Sequence, residues 1–174
     1  MGLFDEEERN AEYERARKRA MYLLGGHAYS TAALREKLLN NYSEETADRV
    51  IEDMTGYGFL NDEEYAVKLA SSLIRGKKYG LYRAKTEMRH KGVPEALIDE
   101  ALAQYEKEDY VEQLKELIRK KYSDRIEDRD DRQKVIAALA RRGFGFSEIK
   151  EAVMAVLQEY EEEYEDDEDI DEDE

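Results

Sequence analysis

The chain has no cysteine, no tryptophan, a single proline and two histidines among its 174 residues. Without cysteine there is no disulfide, no thiolate nucleophile and no Cys-ligated metal, so stability must come from packing alone. The two imidazoles, His27 and His90, stand in a Gly-Gly-His turn and among cations. Neither setting suits a metal site or a general base held by a carboxylate. A phosphate-cradling Gly-rich loop is missing too, and the serines fall mainly at caps and turns. Carboxylate pairs are so common in such a chain that none stands out. The sequence therefore reads as a non-enzymatic binding protein with no cofactor and no metal. No apolar run approaches the roughly 20 residues of a membrane span, and the charged opening MGLFDEEERN has no signal-peptide core. A soluble, cytoplasmic protein is expected.

What is abundant is charge: 41% of the residues are charged, and the formal net charge is -16. Its position matters more than its size. Thirteen acids and no base lie between Glu159 and Glu174, which leaves 31 acidic against 28 basic residues before them. A self-repelling block of this kind buries nothing, so residues 161–174 are expected to form a disordered acidic tail on a nearly neutral body.

Apolar residues recur at helical spacing almost throughout, as in Ala16, Ala20, Leu23 and Leu24, then Ala47, Val50, Ile51 and Met54, then Leu97, Ile98, Ala101 and Leu102. No stretch alternates like a strand. Ser30 and Ser43 are candidate N-caps, Asn61 with Glu64 a capping-box variant, and Pro94 a first-turn residue. Gly25, Gly76, Gly92 and Gly143 each follow a periodic segment, as left-handed caps or tight turns would.

The pattern repeats. A shift of 50 places Ala16, Ala20, Leu23, Leu24, Leu34 and Leu38 on Ala66, Ala70, Leu73, Ile74, Ala84 and Met88. A shift of 51 then maps Ala47, Val50, Ile51 and Met54 onto Ile98, Ala101, Leu102 and Tyr105. A third copy follows, in which Tyr65, Leu69 and Leu73 map onto Tyr110, Leu114 and Ile118, and Met88, Gly92, Ile98 and Leu102 onto Leu139, Gly143, Ile149 and Val153. The six residues inserted between these registers fall in the polar stretch Ser123 to Asp131, expected to be a surface loop. The reading is an all-α chain of three tandem three-helix repeats, elongated and solenoid-like. Its expected divisions are an N-terminal segment 1–10, repeats at 11–60, 61–106 and 107–160, and the tail.

Three such units with these turn sequences resemble the RecX regulatory proteins. Four segments carry the resemblance: YSTAALREKL (Tyr29 to Leu38), GFLNDEEYA (Gly58 to Ala66), GLYRAKTEMRHKGVPEALIDEAL (Gly80 to Leu102) and LARRGFGFSEIKEAV (Leu139 to Val153). The resemblance implies a regulator of DNA recombination and repair that lies in the groove of the RecA filament and restrains its ATPase, strand-exchange and co-protease activities. Two features depart from that pattern. The first unit reads Asn40-Asn41-Tyr42 where the others have Lys-Gly or Arg-Gly, and the strongly acidic tail is additional.

Apart from the resemblance, one segment opposes the sign of the whole chain. Between Arg75 and Lys91 lie Arg75, Lys77, Lys78, Arg83, Lys85, Arg89 and Lys91 against the single acid Glu87, with Tyr79 among them. Lys85 and Arg89, four apart, are expected on one helix face opposite Ala84 and Met88. Such a surface can meet acidic groups of a protein filament or the phosphates of its DNA. It can equally be a solvated helix face. Tyr29 and Tyr79 hold the same repeat position, and Tyr82 lies nearby. They are interface anchors or ordinary inter-helix packing. Arg15, Arg17, Lys18 and Arg19 are expected on the outer side of the first helix, and Lys120, Lys121, Arg141 and Arg142 at helix ends, where cations suit the dipole. The candidate partner-binding residues are thus Arg75, Lys77, Lys78, Tyr79, Arg83, Lys85, Arg89 and Lys91. The partner expected is the RecA filament, with its DNA as a possible contact, for a monomeric protein that has no membrane partner. The rival is a single-stranded-DNA-binding module that acts without a recombinase.

Overall fold

A computed structural model describes residues 3–170 in backbone, and all of these residues are helix, turn or loop, with no strand among them. The helices are α1 (Leu3–Gly26), α2 (Thr31–Leu39), α3 (Glu44–Gly56), α4 (Asp62–Ser71), α5 (Leu81–His90), α6 (Glu95–Leu102), α7 (Lys107–Lys121), α8 (Ser123–Ile126), α9 (Arg129–Arg141) and α10 (Phe146–Ile170). A π-helical turn, Ser72–Gly76, extends α4.

The caps explain where the helices begin. Ser30 and Ser43 accept hydrogen bonds from the Ala33 and Thr46 amides at 3.1 and 3.4 Å, and the Asn61 side chain accepts one from the Glu64 amide at 3.0 Å. Of the four stop glycines, Gly92 and Gly143 take the left-handed conformation, at φ 76° and 89°. After the π turn the left-handed residue is Lys78 (φ 56°), two positions beyond Gly76.

The chain packs as two units whose boundaries cut across the helices. The first holds residues 1–70 with 87–101, the second residues 71–86 with 102–174. In the first, α1, α2 and α3 meet around Ala16, Ala20, Leu34, Leu38, Ala47, Val50, Met54 and Leu60, all buried. All but Leu60 are residues that the helical spacing and repeat register selected, while the selected Leu23 and Leu24 are only partly buried. In the second, α7 lies along α10, and α8 and α9 complete the packing around Leu114, Ile118, Ile126, Val135, Leu139, Ile149 and Val156. The stretch Ser123 to Asp131 is therefore not a plain surface loop. It contains the one-turn helix α8, because its lone aliphatic residue, Ile126, is fully buried. Among the residues whose burial is described, Val156 is the last buried one, and Glu161, Glu162 and Glu163 are exposed. The backbone of α10 continues to Ile170, and the side chains of 164–170 and the last four positions of the expected acidic tail lie outside the described residues.

One joint occurs twice, once in each unit. In the first, the Lys91-Gly92 turn meets the start of α2, where the buried Ser30 hydroxyl donates to the Lys91 carbonyl at 2.5 Å. In the second, the Arg142-Gly143 turn meets the start of α5. Here the Gly80 amide donates to the Arg142 carbonyl at 2.9 Å and the Tyr82 amide to the Gly143 carbonyl at 3.0 Å. The approach is so close that a Cβ on Gly80 would fall on the backbone of Gly143 and Phe144, and one on Gly143 would fall on the backbone of Arg83.

Candidate partner-binding surface

The basic segment begins where α4 gives way to the π turn. There the Lys77 amide bonds the Ser72 carbonyl at 2.9 Å, five residues back, and the widened turn swings the chain out toward Lys78. A left-handed lysine is unfavourable unless its surroundings impose it. Here they do. The Tyr79 amide donates to the Leu73 carbonyl at 3.0 Å, Gln113 donates to the Tyr79 carbonyl at 3.4 Å, and the Lys78 ammonium meets Glu116 at 3.3 Å. Lys120 and Lys78 together hold the Glu116 carboxyl below its ordinary range.

Around this fixed loop the cations gather on one ring. The guanidinium of Arg83 lies 4.3 Å from the centre of the Tyr79 ring, with Lys77 at 5.8 Å and Arg142 at 5.9 Å. Arg142 also donates to the carbonyls of Lys77 at 2.9 Å and Lys78 at 3.3 Å. It closes the loop from 64 residues away. Residue reasoning placed Arg142 only at a helix end. The signal that could have found it is its register, since Arg142-Gly143 occupies the turn position of Lys91-Gly92. Tyr82, the second residue of α5, is exposed. The result is a half-exposed tyrosine among three cations on a stiff backbone, able to present an aromatic face and several N–H donors to an acidic partner.

The other expected residues fall differently. Arg75 is exposed and stacks on Tyr105 at 5.6 Å. Ala84 and Met88 are fully buried, as the α5 face predicts, whereas Lys85 is half-buried and Arg89 exposed. Arg89 is engaged by a two-pronged pair with Glu95 at 2.6 and 2.8 Å, which raises its pKa above the ordinary guanidinium value. Arg89 and Lys91 belong to the first unit, and Arg75, Lys77, Lys78, Tyr79, Arg83 and Lys85 to the second. Arg15, Arg17, Lys18 and Arg19 are all exposed on α1, opposite the buried Ala16 and Ala20. No group of three or more potential metal ligands occurs among the described residues, and no described helix is long and apolar enough to cross a membrane.

Tandem three-helix domains, with a cation-ringed tyrosine on one loop, define an all-α repeat protein. Comparison with known proteins gives the particular family. Residues 16–54, 61–102 and 108–153 match, in order, the first, second and third three-helix domains of RecX. The chain is 31% identical to the regulatory protein RecX of Prosthecochloris aestuarii over 85% of its own length and 97% of that protein's. It is 32% identical to that of Trichlorobacter lovleyi over 72% and 84%. A crystal structure of RecX from Lactobacillus salivarius superposes with a TM-score of 0.76 at 19% identity, covering 84% of this chain and 97% of that one. The chain belongs to the RecX family of regulatory proteins.

Proposed function

We propose that this protein binds the RecA filament and lowers its ATP turnover, strand exchange and co-protease activity without hydrolysing ATP itself, using the surface that begins at Arg75. The observation that carries the site is the Tyr79 cluster. Three cations lie within 6 Å of one ring, on a loop held by Arg142, Gln113 and Glu116. An aromatic ring on a rigid loop loses little entropy on binding, and clustered cations select an acidic surface. Arg89 has a secondary role in this reading, because it is already engaged by Glu95. The body of the protein is slightly acidic, which supports a protein partner over bare nucleic acid.

Co-sedimentation with preformed RecA filaments on DNA, with free DNA as control, tests this reading. The parent should pellet with filaments and slow their ATPase. Lys77→Glu with Arg83→Glu should weaken both effects at unchanged helicity, and Arg142→Ala should weaken them by loosening the loop. Binding to free single-stranded DNA that falls steeply with salt, and equals binding to filaments, would replace this reading with that of a DNA-coating module. A parent that neither pellets with filaments nor alters their ATPase would refute it.

A further inference from the structure

Both histidines of the chain, far apart in sequence, line one cleft of about 510 Å³ in the first unit. Three segments form its walls. His27 and Tyr29 precede α2, which supplies Glu36 and Lys37. Tyr65 comes from α4, and His90 with Lys91 from the end of α5. These segments are tied together rather than merely adjacent. Ser30 donates to the Lys91 carbonyl at 2.5 Å, and the Thr31 amide donates to Asp62, at the start of α4, at 2.8 Å. The His27 and Tyr29 rings meet edge to face with centroids 6.5 Å apart.

The composition of this lining points to its ligand. Lys37 and Lys91 line the cleft with Glu36 as its one carboxylate, and the two imidazoles add ring N–H donors. Tyr29 and Tyr65, both half-buried, supply ring faces beside the cations. Cations next to aromatic rings suit a ligand with a dense anionic end and a flat end, and the volume lies within the range of small-ligand sites. We propose that this cleft binds a nucleoside phosphate, with the phosphoryl groups among His27, Lys37, His90 and Lys91 and the base against Tyr29 and Tyr65. The site shares Lys91 with the candidate filament-binding residues but does not rest on the filament reading. A free nucleotide fits better than a nucleic-acid strand, because a strand leaving the cleft past α4 would meet Asp62, Glu63 and Glu64.

Histidine proton signals of the full chain, followed by NMR during titration with ADP, inorganic pyrophosphate or an oligo-dT strand, read the site directly. ADP should shift the signals of both histidines saturably. Lys37→Gln with Lys91→Gln should weaken ADP binding about tenfold or more. His27→Gln with His90→Gln, read on the tyrosine signals, should weaken it as well, and circular dichroism should be unchanged in both variants. Failure of ADP to shift either histidine overturns the proposal, as does unaltered binding by the lysine variant. Pyrophosphate binding as tight as ADP would remove the role of the rings. Oligo-dT acting at lower concentration than ADP would assign the cleft to nucleic acid.

Discussion

Gly80 and Gly143 lie against each other where the turn between α9 and α10 meets the start of α5, and replacing either with alanine tests whether that joint holds the second unit together. At Gly143 two costs combine. Its φ of 89° is a conformation that side chains resist, at about 1 to 3 kcal/mol, and the new Cβ would strike the Arg83 backbone, which has no flexible end to yield. Separating the two segments enough to relieve the clash would lengthen the Gly80–Arg142 and Tyr82–Gly143 hydrogen bonds, each worth about 0.5 to 1.5 kcal/mol. The expected loss is about 3 to 5 kcal/mol, or a fall in Tm on the order of 10 °C for a chain of this size. Gly80→Ala should cost a comparable amount through the clash and the same two bonds. Gly92→Ala should cost less, because its Cβ meets a side-chain atom, the Ser30 Oγ, at 2.8 Å. Gly56→Ala, in α3 with nothing within 4 Å, should be neutral or slightly stabilising. Thermal melts followed by circular dichroism rank the four. If Gly143→Ala melts like Gly56→Ala, the close approach is not a feature of the protein in solution.

Truncating Leu38, Met88 or Leu139 to alanine should destabilise by about 2 to 4 kcal/mol each in urea melts, since all three are fully buried. Three unchanged melts would put the repeat register in error. Glu12 accepts bonds from the Ser43 amide and from the Thr46 and Ser43 hydroxyls, which hold its pKa below the ordinary 4.5. A lowered carboxylate pKa contributes stability that is present above about pH 4.5 and lost as pH falls through the folded value. Glu12→Gln should therefore flatten the stability profile on the acid side, and an unchanged profile would deny Glu12 that role. Truncation after Tyr160 keeps Glu159, which Arg119 grips at 2.7 to 3.0 Å, so Tm should not fall. A lower Tm would mean that the tail contributes to the fold.

Helix positions were legible because each depends on neighbours a few residues away. Ala16, Ala20, Leu34 and Leu38 share a face by spacing alone, and Ser30 and Ser43 cap because serine oxygen reaches an amide three residues on. The loop that carries Tyr79 was not legible in the same way. Its π turn and left-handed Lys78 follow from contacts with Gln113, Glu116 and Arg142, which no local pattern in SLIRGKKYG announces. The basic segment was visible as composition. That Arg83 and Arg142 would converge on Tyr79 while Arg89 turned to Glu95 depends on which partners tertiary packing brings near. Ile126 shows the reverse case, where one aliphatic residue in a polar stretch was enough to draw a whole turn into the core.

The two joints also bear on what counts as a separable piece of this protein. Because residues 87–101 pack with the first 70, a fragment ending near residue 60 would lack the Lys91 carbonyl that Ser30 engages and the whole of α6. A fragment starting near residue 107 would likewise lose the Gly80 segment that lies against Gly143. Each sequence repeat carries its own turn, but the compact units are offset from the repeats by part of a repeat. A recombination event that exchanged the second repeat between two such proteins would therefore disturb both units at once, and would be tolerated only where the incoming turn matched the small residues of the helix start it had to meet.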